Sequence, residues 1–570
     1  MKPLTRRISG CWSKRCSNTA SCPQRPTHRL VKQVHAASPF YRTITFWEQA
    51  AFWLLLVLHL APLCGGRYFP TADGPTHLYN AWLWKAMLLQ PGHPAHQVLA
   101  FNPNPEPNYL SHLLLVGLLS LVPAWLAEKT LLVLYVVGLP LALRYALRSA
   151  GQAGTGWLAV LGFPLVYSVV LVWGFYNFCL SLLLLLLASG YWQRHTGRWR
   201  PATLAGFAGL LTLLYTAHPM TYLASGLLLG LLALATHRTH PRRRLTELGV
   251  LLLAHLPTLL LLGWYAAHKG TATSAPALSY GANLWEWFRL EPIHYFGSAE
   301  GSYRWLLAGL LTVAVGVAGA RVLRRQAAAW PVLPWALGTL LLAAAYVALP
   351  DAIAGGSITR PRWGLLSYLA LLSGLAAVPW LPRWRLIGLG IGTLVAALLL
   401  GFRMPKLRAF QAGLAEYQLL APYLRPGATI LPIAYDKANG LPEALATNTY
   451  IPVLGEAVNY LAVEHALLSY ENYEALTGYF PLVWRPGKTP LLAGKQRPAR
   501  PAPFLAEPTH LPTYVLLQNR LLATPGSAAN AAFITSYLAH FRYQLRYRSP
   551  NRLLELYERP HSRLVPAPAQ

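Results

Sequence analysis

Long apolar runs, parted by short polar or proline-containing breaks, fill the chain from residue 46 to about residue 401. The first is 46–64 (FWEQAAFWLLLVLHLAPLC). Others lie near 128–146, 157–172, 174–190, 201–217, 220–236, 246–265, 305–322, 332–349, 363–379 and 385–401. They predict an α-helical polytopic membrane domain, 46–401, with about eleven transmembrane helices. Several runs are near the lower length limit for crossing ~30 Å of hydrocarbon, and the short breaks predict tight hairpins. Residues 402–570 are less apolar and predict a small α/β domain. A helical stretch (LRAFQAGLAEYQLLAPYL) leads to a strand-like run (ATILPIAY). A second strand (TYVLLQ), a helix (AAFITSYLAHF) and a hairpin (YQLRYRS, RLLELYER) follow. No glycine-rich phosphate loop occurs there, so no nucleotide site is assigned.

Composition supports the membrane reading. Hydrophobic residues make up 54% and charged residues 12%, with a mean hydropathy of +0.35. That is too apolar for one or two ordinary soluble domains, and it excludes wholesale disorder, a coiled coil or a repeat solenoid. The net charge of +29 invites a nucleic-acid reading until the charges are placed. Residues 1–45 are basic and contain no acid, no early apolar core and no small-residue cleavage site, which predicts a disordered cytoplasmic tail. Arg144/Arg148, Arg194/Arg198/Arg200, Arg238/Arg242/Arg243/Arg244, Arg321/Arg324/Arg325 and Arg383/Arg385 mark alternate connections. With the N-terminus cytoplasmic, all of them fall on the cytoplasmic side. The positive charge is then a topology signal, and no nucleic-acid partner is expected. Residues 109–123 are read as an outer juxtamembrane helix, because an extra crossing would invert every later loop. Loops 65–127, 266–304 and 350–362 and the C-terminal domain are then extracytoplasmic, and the lipid bilayer is the first partner. Cys11, Cys16, Cys22, Cys64 and Cys179 fit neither a disulfide framework nor a zinc pattern.

The densest chemistry follows the first span, in GRYFPTADGPTHLYNAWLWKAMLL. Asp73-Gly74-Pro75 marks a turn, and the helix after it opens with His77, Tyr79 and Asn80. Asp73 suits a helix N-cap. A carboxylate, an imidazole and a phenol gathered at a bilayer surface also fit a functional site. Transfer from a phosphate-linked sugar needs a base for the acceptor and cations for the leaving phosphate. Asp73 is the base candidate, with His77 four residues on to assist it. The loop PDAIAGGSITRPRW offers Arg360 and Arg362, with Gly355 and Gly356 permitting close backbone approach. Interface anchoring beside Trp363 explains the same arginines equally well. Asn177 in WGFYNF, His218 at a turn, and Glu291 and His294 in the 266–304 loop are further substrate-binding candidates. Aromatic-belt and interfacial-helix roles compete with them. The stretch SYENYEALTGYFPLVW, with Asn472, Tyr473 and Glu474, reads first as domain core and second as a cover for the acceptor groove.

The order of basic tail, single span, large outer loop opening with an acid, short hairpins and outer C-terminal domain resembles the GT-C superfamily of integral-membrane glycosyltransferases. The likeness is to the bacterial branch of protein mannosyltransferases and the aminoarabinose transferase. It covers about residues 46–401 in layout and rests, as a motif, on Ala72-Asp73-Gly74. NPNPEPNYLSHLLLVGLLSLVPAWLAEKTLLVLYVVGLPLALRYAL also looks like that family's proline-rich turn, outer helix and second span. The resemblance implies a polyprenyl-phosphate sugar donor, transfer on the outer face of a bacterial inner (plasma) membrane to an unidentified acceptor, and Asp73 as catalytic acid residue. It assigns the lipid-phosphate contact to Arg360 and, second, to Arg362. Family members carry a close pair of acids, whereas the next acid after Asp73 is Glu106. No metal site and no cofactor are therefore expected, with a divalent metal on Asp73 and His77 left open. Two other classes compete: a transporter or flippase, for which Glu48, Glu247 and His255 would be the ionisable groups in the spans, and a non-catalytic envelope-assembly protein.

Overall fold

The computed structural model describes residues 39–560 apart from 151, 153, 238, 269–278, 297–299, 354–355, 435–450, 490–510 and 519–527. The tail expected at 1–45, with Cys11, Cys16 and Cys22, lies largely outside the described residues, as do Arg238 and Gly355. Helices form where the apolar runs predict them. Among the described residues, five are long and apolar enough to cross a membrane: Arg42–Cys64, Ala124–Ser149, Pro241–His268, Gly301–Leu323 and Pro382–Tyr423. Shorter apolar segments lie between them at Gly156–Val172, Pro201–Ala217, Pro219–Ala235 and Leu333–Ala348. Tyr176–His195 and Thr359–Ala376 are further helices packed into the same bundle. The protein is thus a mostly helical, multi-span membrane protein.

Two elements refine the sequence expectation. Segment 109–123, read as a juxtamembrane helix and not a crossing, forms only the ten-residue helix Leu110–Leu119. At 1.5 Å per residue that is about 15 Å, half a hydrocarbon core. The last span and the first helix of the C-terminal region, expected to part at 401/402, are one helix, Pro382–Gln418. Its 37 residues reach about 55 Å, long enough to cross ~30 Å of hydrocarbon and continue beyond it. Pro405 sits inside this helix without ending it.

The C-terminal region carries a five-stranded sheet in the order Leu468–Ser469, Thr429–Ala434, Tyr514–Gln518, Leu554–Glu558, Gln544–Arg548. The first three are parallel, and the last two form the expected antiparallel hairpin. This region is sewn to the segment that follows the helix Gly74–Leu89. Leu99–Phe101 pairs antiparallel with Leu482–Trp484, and Asn102 donates to the carbonyls of Gly478 and Phe480 at 3.0 Å each.

The three ionisable groups Glu48, Glu247 and His255, in or near the spans, are bonded to neighbours. Arg385 donates bidentately to Glu48 at 2.9 Å, joining the last long helix to the first. Glu247 accepts from the Gly197 amide and the Trp199 indole. His255 bonds the Tyr222 hydroxyl at 2.7 Å. These groups brace helices together, so the residues a transport reading would use are occupied structurally.

The segment leading into the helix Gly301–Leu323 is fastened by a buried ion pair. Arg403 binds Glu300 and donates to the carbonyls of Tyr167 and Ile293 at 2.8 and 2.7 Å. Glu300, fully buried, also accepts from the amides of Tyr295 and Phe296. Removing one partner of such a pair strands the other charge without water. Glu300→Ala is therefore expected to cost about 3–5 kcal/mol. Thermal unfolding of the detergent-solubilised protein checks this; an unchanged melting temperature would show that the pair contributes nothing.

Candidate active site

Asp73 sits immediately before the helix Gly74–Leu89, in the N-cap position, yet its side chain caps nothing. Its backbone carbonyl takes the first helical bonds, from the amides of Thr76 and His77 at 3.0 Å each. The carboxylate is instead hydrogen-bonded by the Tyr473 hydroxyl of the C-terminal region. Burial, then the Asp73 charge, pushes the Tyr473 phenol well above its ordinary range, so it remains a donor.

Two glycines place this carboxylate. The turn before Tyr176–His195 runs against the Asp73 loop, with Asp73 N bonding Trp173 O at 2.9 Å and Ala72 N bonding Val172 O at 2.8 Å. Gly174 has φ +82°, and a Cβ there would fall 2.5 Å from the Gly74 nitrogen. At Gly74 a Cβ would fall 2.1 Å from the Tyr176 hydroxyl. Close backbone approach at Gly174, and the Tyr176 and Thr71 side chains packed against Gly74, leave no room for a Cβ at either position.

Asp73 opens onto a cavity of about 620 Å³. Arg362 lines it from the start of the helix Thr359–Ala376, together with His77, Asn177 and His218. The arginine helix is set by a two-strand hairpin, Ala352–Ile353 with Gly356–Ser357, and by the Thr359 hydroxyl donating to Pro350 O at 2.8 Å. Arg362 lies over the Phe175 ring, 4.3 Å from its centroid, and contacts His218 Nε2 at 3.3 Å. Burial, then the Arg362 charge, drives His218 well below its ordinary pKa, so a neutral ring accepts from the guanidinium. Among the described residues no carboxylate is ion-paired to Arg362, and its Nε is buried without a hydrogen-bond partner. Asp73 and Asp351 attract it from beyond ion-pair distance. The cavity therefore has an acceptor of protons on one wall and a cation with donors to spare on another. Its lining turns apolar toward Met220, Leu223 and Leu262, and Leu223 is exposed on the outside of its helix.

The other sequence candidates fall elsewhere. Arg360 points away from the lining: it donates to Asn283 Oδ1 at 2.7 Å and lies 3.6 and 3.7 Å from Glu286 and Asp351. The first choice for a phosphate contact is thus the arginine already neutralised by carboxylates. Tyr79 is fully buried and accepts from the Ser469 amide at 2.9 Å. Asn80 donates to Asn472 and Glu474 at 2.9 and 2.6 Å. Both dock the C-terminal region instead of lining the cavity. Asn177 touches the cavity, but its amide is held by Ser111 N and Asn108 O at 2.7 and 2.5 Å. Glu291 and His294 form a brace with Arg304, at 2.8 Å from His294 and 2.7 Å from Arg304. Against the push of burial, those two bonds hold Glu291 down to about 2. Gly356 does line the cavity.

Sequence reasoning did not single out His112, and it weighed Tyr473 and Glu474 first as domain core. His112 is fully buried in the helix Leu110–Leu119 and bonds Glu474 Oε2 at 3.0 Å; His77 contacts the other oxygen of the same carboxylate. Against the push of burial, the two imidazoles hold Glu474 down to about 2. A histidine one turn into an apolar helix was the available signal for His112. Nothing local marks Glu474.

No family model matches the chain, and no curated protein matches it. Among solved structures, ArnT from Cupriavidus metallidurans, determined with undecaprenyl phosphate bound, is 12% identical, with a TM-score of 0.48 over 91% of this chain and 99% of that one. The arabinofuranosyltransferase AftD from mycobacteria is 16% identical, with a TM-score of 0.44 over 90% of this chain and 40% of that one.

Proposed function

We propose that this protein is an integral-membrane glycosyltransferase of the GT-C kind, moving a sugar from a polyprenyl-phosphate donor to an acceptor on the extracytoplasmic face of the inner membrane. One observation carries the reading: Asp73 and a guanidinium without a paired carboxylate, Arg362, face the same cavity. In this scheme Asp73 takes the proton of the acceptor hydroxyl or amine as that atom attacks the anomeric carbon. The bond from that carbon to the phosphate oxygen breaks, and its electron pair leaves with the polyprenyl phosphate. Arg362, steadied by the Phe175 ring and by neutral His218, binds the departing charge. Tyr473 orients the base. The polyprenyl chain runs along Met220, Leu223 and Leu262, where the lining is apolar.

The transporter reading is weaker because Glu48, Glu247 and His255 are all engaged by neighbouring residues. Purified protein is to be incubated with a panel of polyprenyl-phosphate sugars and mixed envelope acceptors, and free polyprenyl phosphate scored by mass spectrometry. Release with a matching mass gain on an acceptor is the expected result. Donor movement across a vesicle membrane without chemical change would replace the transferase reading with a transport one.

A further inference from the structure

His77, His112 and Glu474 come from three separate stretches: the helix Gly74–Leu89, the helix Leu110–Leu119 and the short helix Glu474–Thr477. All three side chains are buried, at 3%, 0% and 0% exposure. One ligand-capable atom from each lies within 4.8 Å of the other two. We propose that this cluster is a binding site for one divalent transition-metal ion, zinc by its donor set, and that the ion fastens the loop bearing Asp73 to the C-terminal domain.

The donor atoms argue for it. His77 Nδ1 and His112 Nε2 each meet a different oxygen of the Glu474 carboxylate, so three ligand-capable groups converge on one buried point. A cation there would take a lone pair from each of the three in place of the protons they share. Each ring is also turned as metal-binding imidazoles are, with a main-chain group on its other side: Gly174 for His77 and Asn108 for His112. The carboxylate has its own support, since Asn80 donates to Glu474 Oε2 at 2.6 Å and is itself fixed by Asn472. Two imidazoles and one carboxylate are a zinc donor set with one position left open. Magnesium and calcium prefer oxygen ligands and suit it poorly. Around the cluster, the Phe480 ring lies 5.7 Å from the His77 ring and 5.5 Å from that of His112, which limits water. The competing arrangement is protons shared between the rings and the carboxylate.

The inference does not rest on the transferase reading, because its test needs no substrate. Full-length, tag-free protein is dialysed against zinc and then against metal-free buffer, and its metal content is measured by plasma mass spectrometry. About one zinc ion per chain is expected. Occupancy should fall at least ~tenfold in Glu474→Gln and in His112→Gln. Cobalt(II) added to the apo protein should give the intense visible bands of a four-coordinate ion, lost on adding zinc. Should either variant fail to fold, the wild-type cobalt spectrum decides, since it involves no substitution. Folded wild type that retains no zinc, a weak six-coordinate cobalt spectrum, or full occupancy in both folded variants would overturn the site.

Discussion

Asp73→Asn is expected to lower sugar transfer by at least ~10²–10⁴-fold, the range in which a positioned general base contributes. The fold should survive. The Asp73 side chain caps no helix, so the substitution removes no capping bond. Asparagine keeps an oxygen to accept from Tyr473, and the backbone bonds to Trp173, Thr76 and His77 do not involve the side chain. The loss should therefore appear in the chemical step, with monodisperse elution and an unchanged melting temperature. Tyr473→Phe gives the graded companion: the carboxylate remains but loses its orienting donor, so a smaller loss is expected. Mass-spectrometric release of polyprenyl phosphate from a fixed donor pool measures both. Wild-type rates in Asp73→Asn would remove the base assignment, and with it the reason for placing the reaction in this cavity.

The spans were legible because hydrocarbon demands continuous apolar sequence, and runs such as 128–146 and 246–265 contain little else. The hairpin Gln544–Arg548 with Leu554–Glu558 was legible because its apolar and polar positions bracket a short turn. Asp73 stood out because an acid between an apolar span and a helix has few cheap reasons to be there. The partners of Asp73 and His77 were not legible. Tyr473 and Glu474 lie some 400 residues away in an aromatic stretch whose local pattern is that of any domain core. Only the docking of the C-terminal region on the Gly74–Leu89 helix, through Thr76 with Glu456, Tyr79 with Ser469 and Asn80 with Asn472, brings them to the site. The His77–His112–Glu474 cluster was hidden for the same reason: its ligand-like atoms come from three segments, with no spacing rule to link them. The expectation that no metal is needed came from the absence of a second acid beside Asp73, a test blind to residues that only tertiary folding brings together.

The choice between Arg360 and Arg362 shows what decides function at such a site, and it yields the second large effect. Both residues lie in the first turn of Thr359–Ala376. Two helical positions apart, they point about 200° from each other, so only one can face the cavity. Sequence cannot say which, because the helix start is not fixed by any capping residue: Ile358, at φ 57°, precedes it. The structure turns Arg362 inward and leaves Arg360 among Asn283, Glu286 and Asp351. Removing a preorganised donor from a developing anion typically costs ~10²–10³-fold in turnover. Arg362→Ala should lose turnover on that scale under single-turnover conditions. Arg362→Lys should recover only part of it, since an ammonium lacks the planar fork that stacks on Phe175 while donating to two oxygens. Arg360→Ala should stay within a few-fold of wild type, because its partners are carboxylates and an amide outside the cavity. The reverse ranking, with Arg360→Ala the more damaged, would mean that the phosphate lies on the Asp351 side of the hairpin and that Arg362 serves only to pack Phe175 against His218.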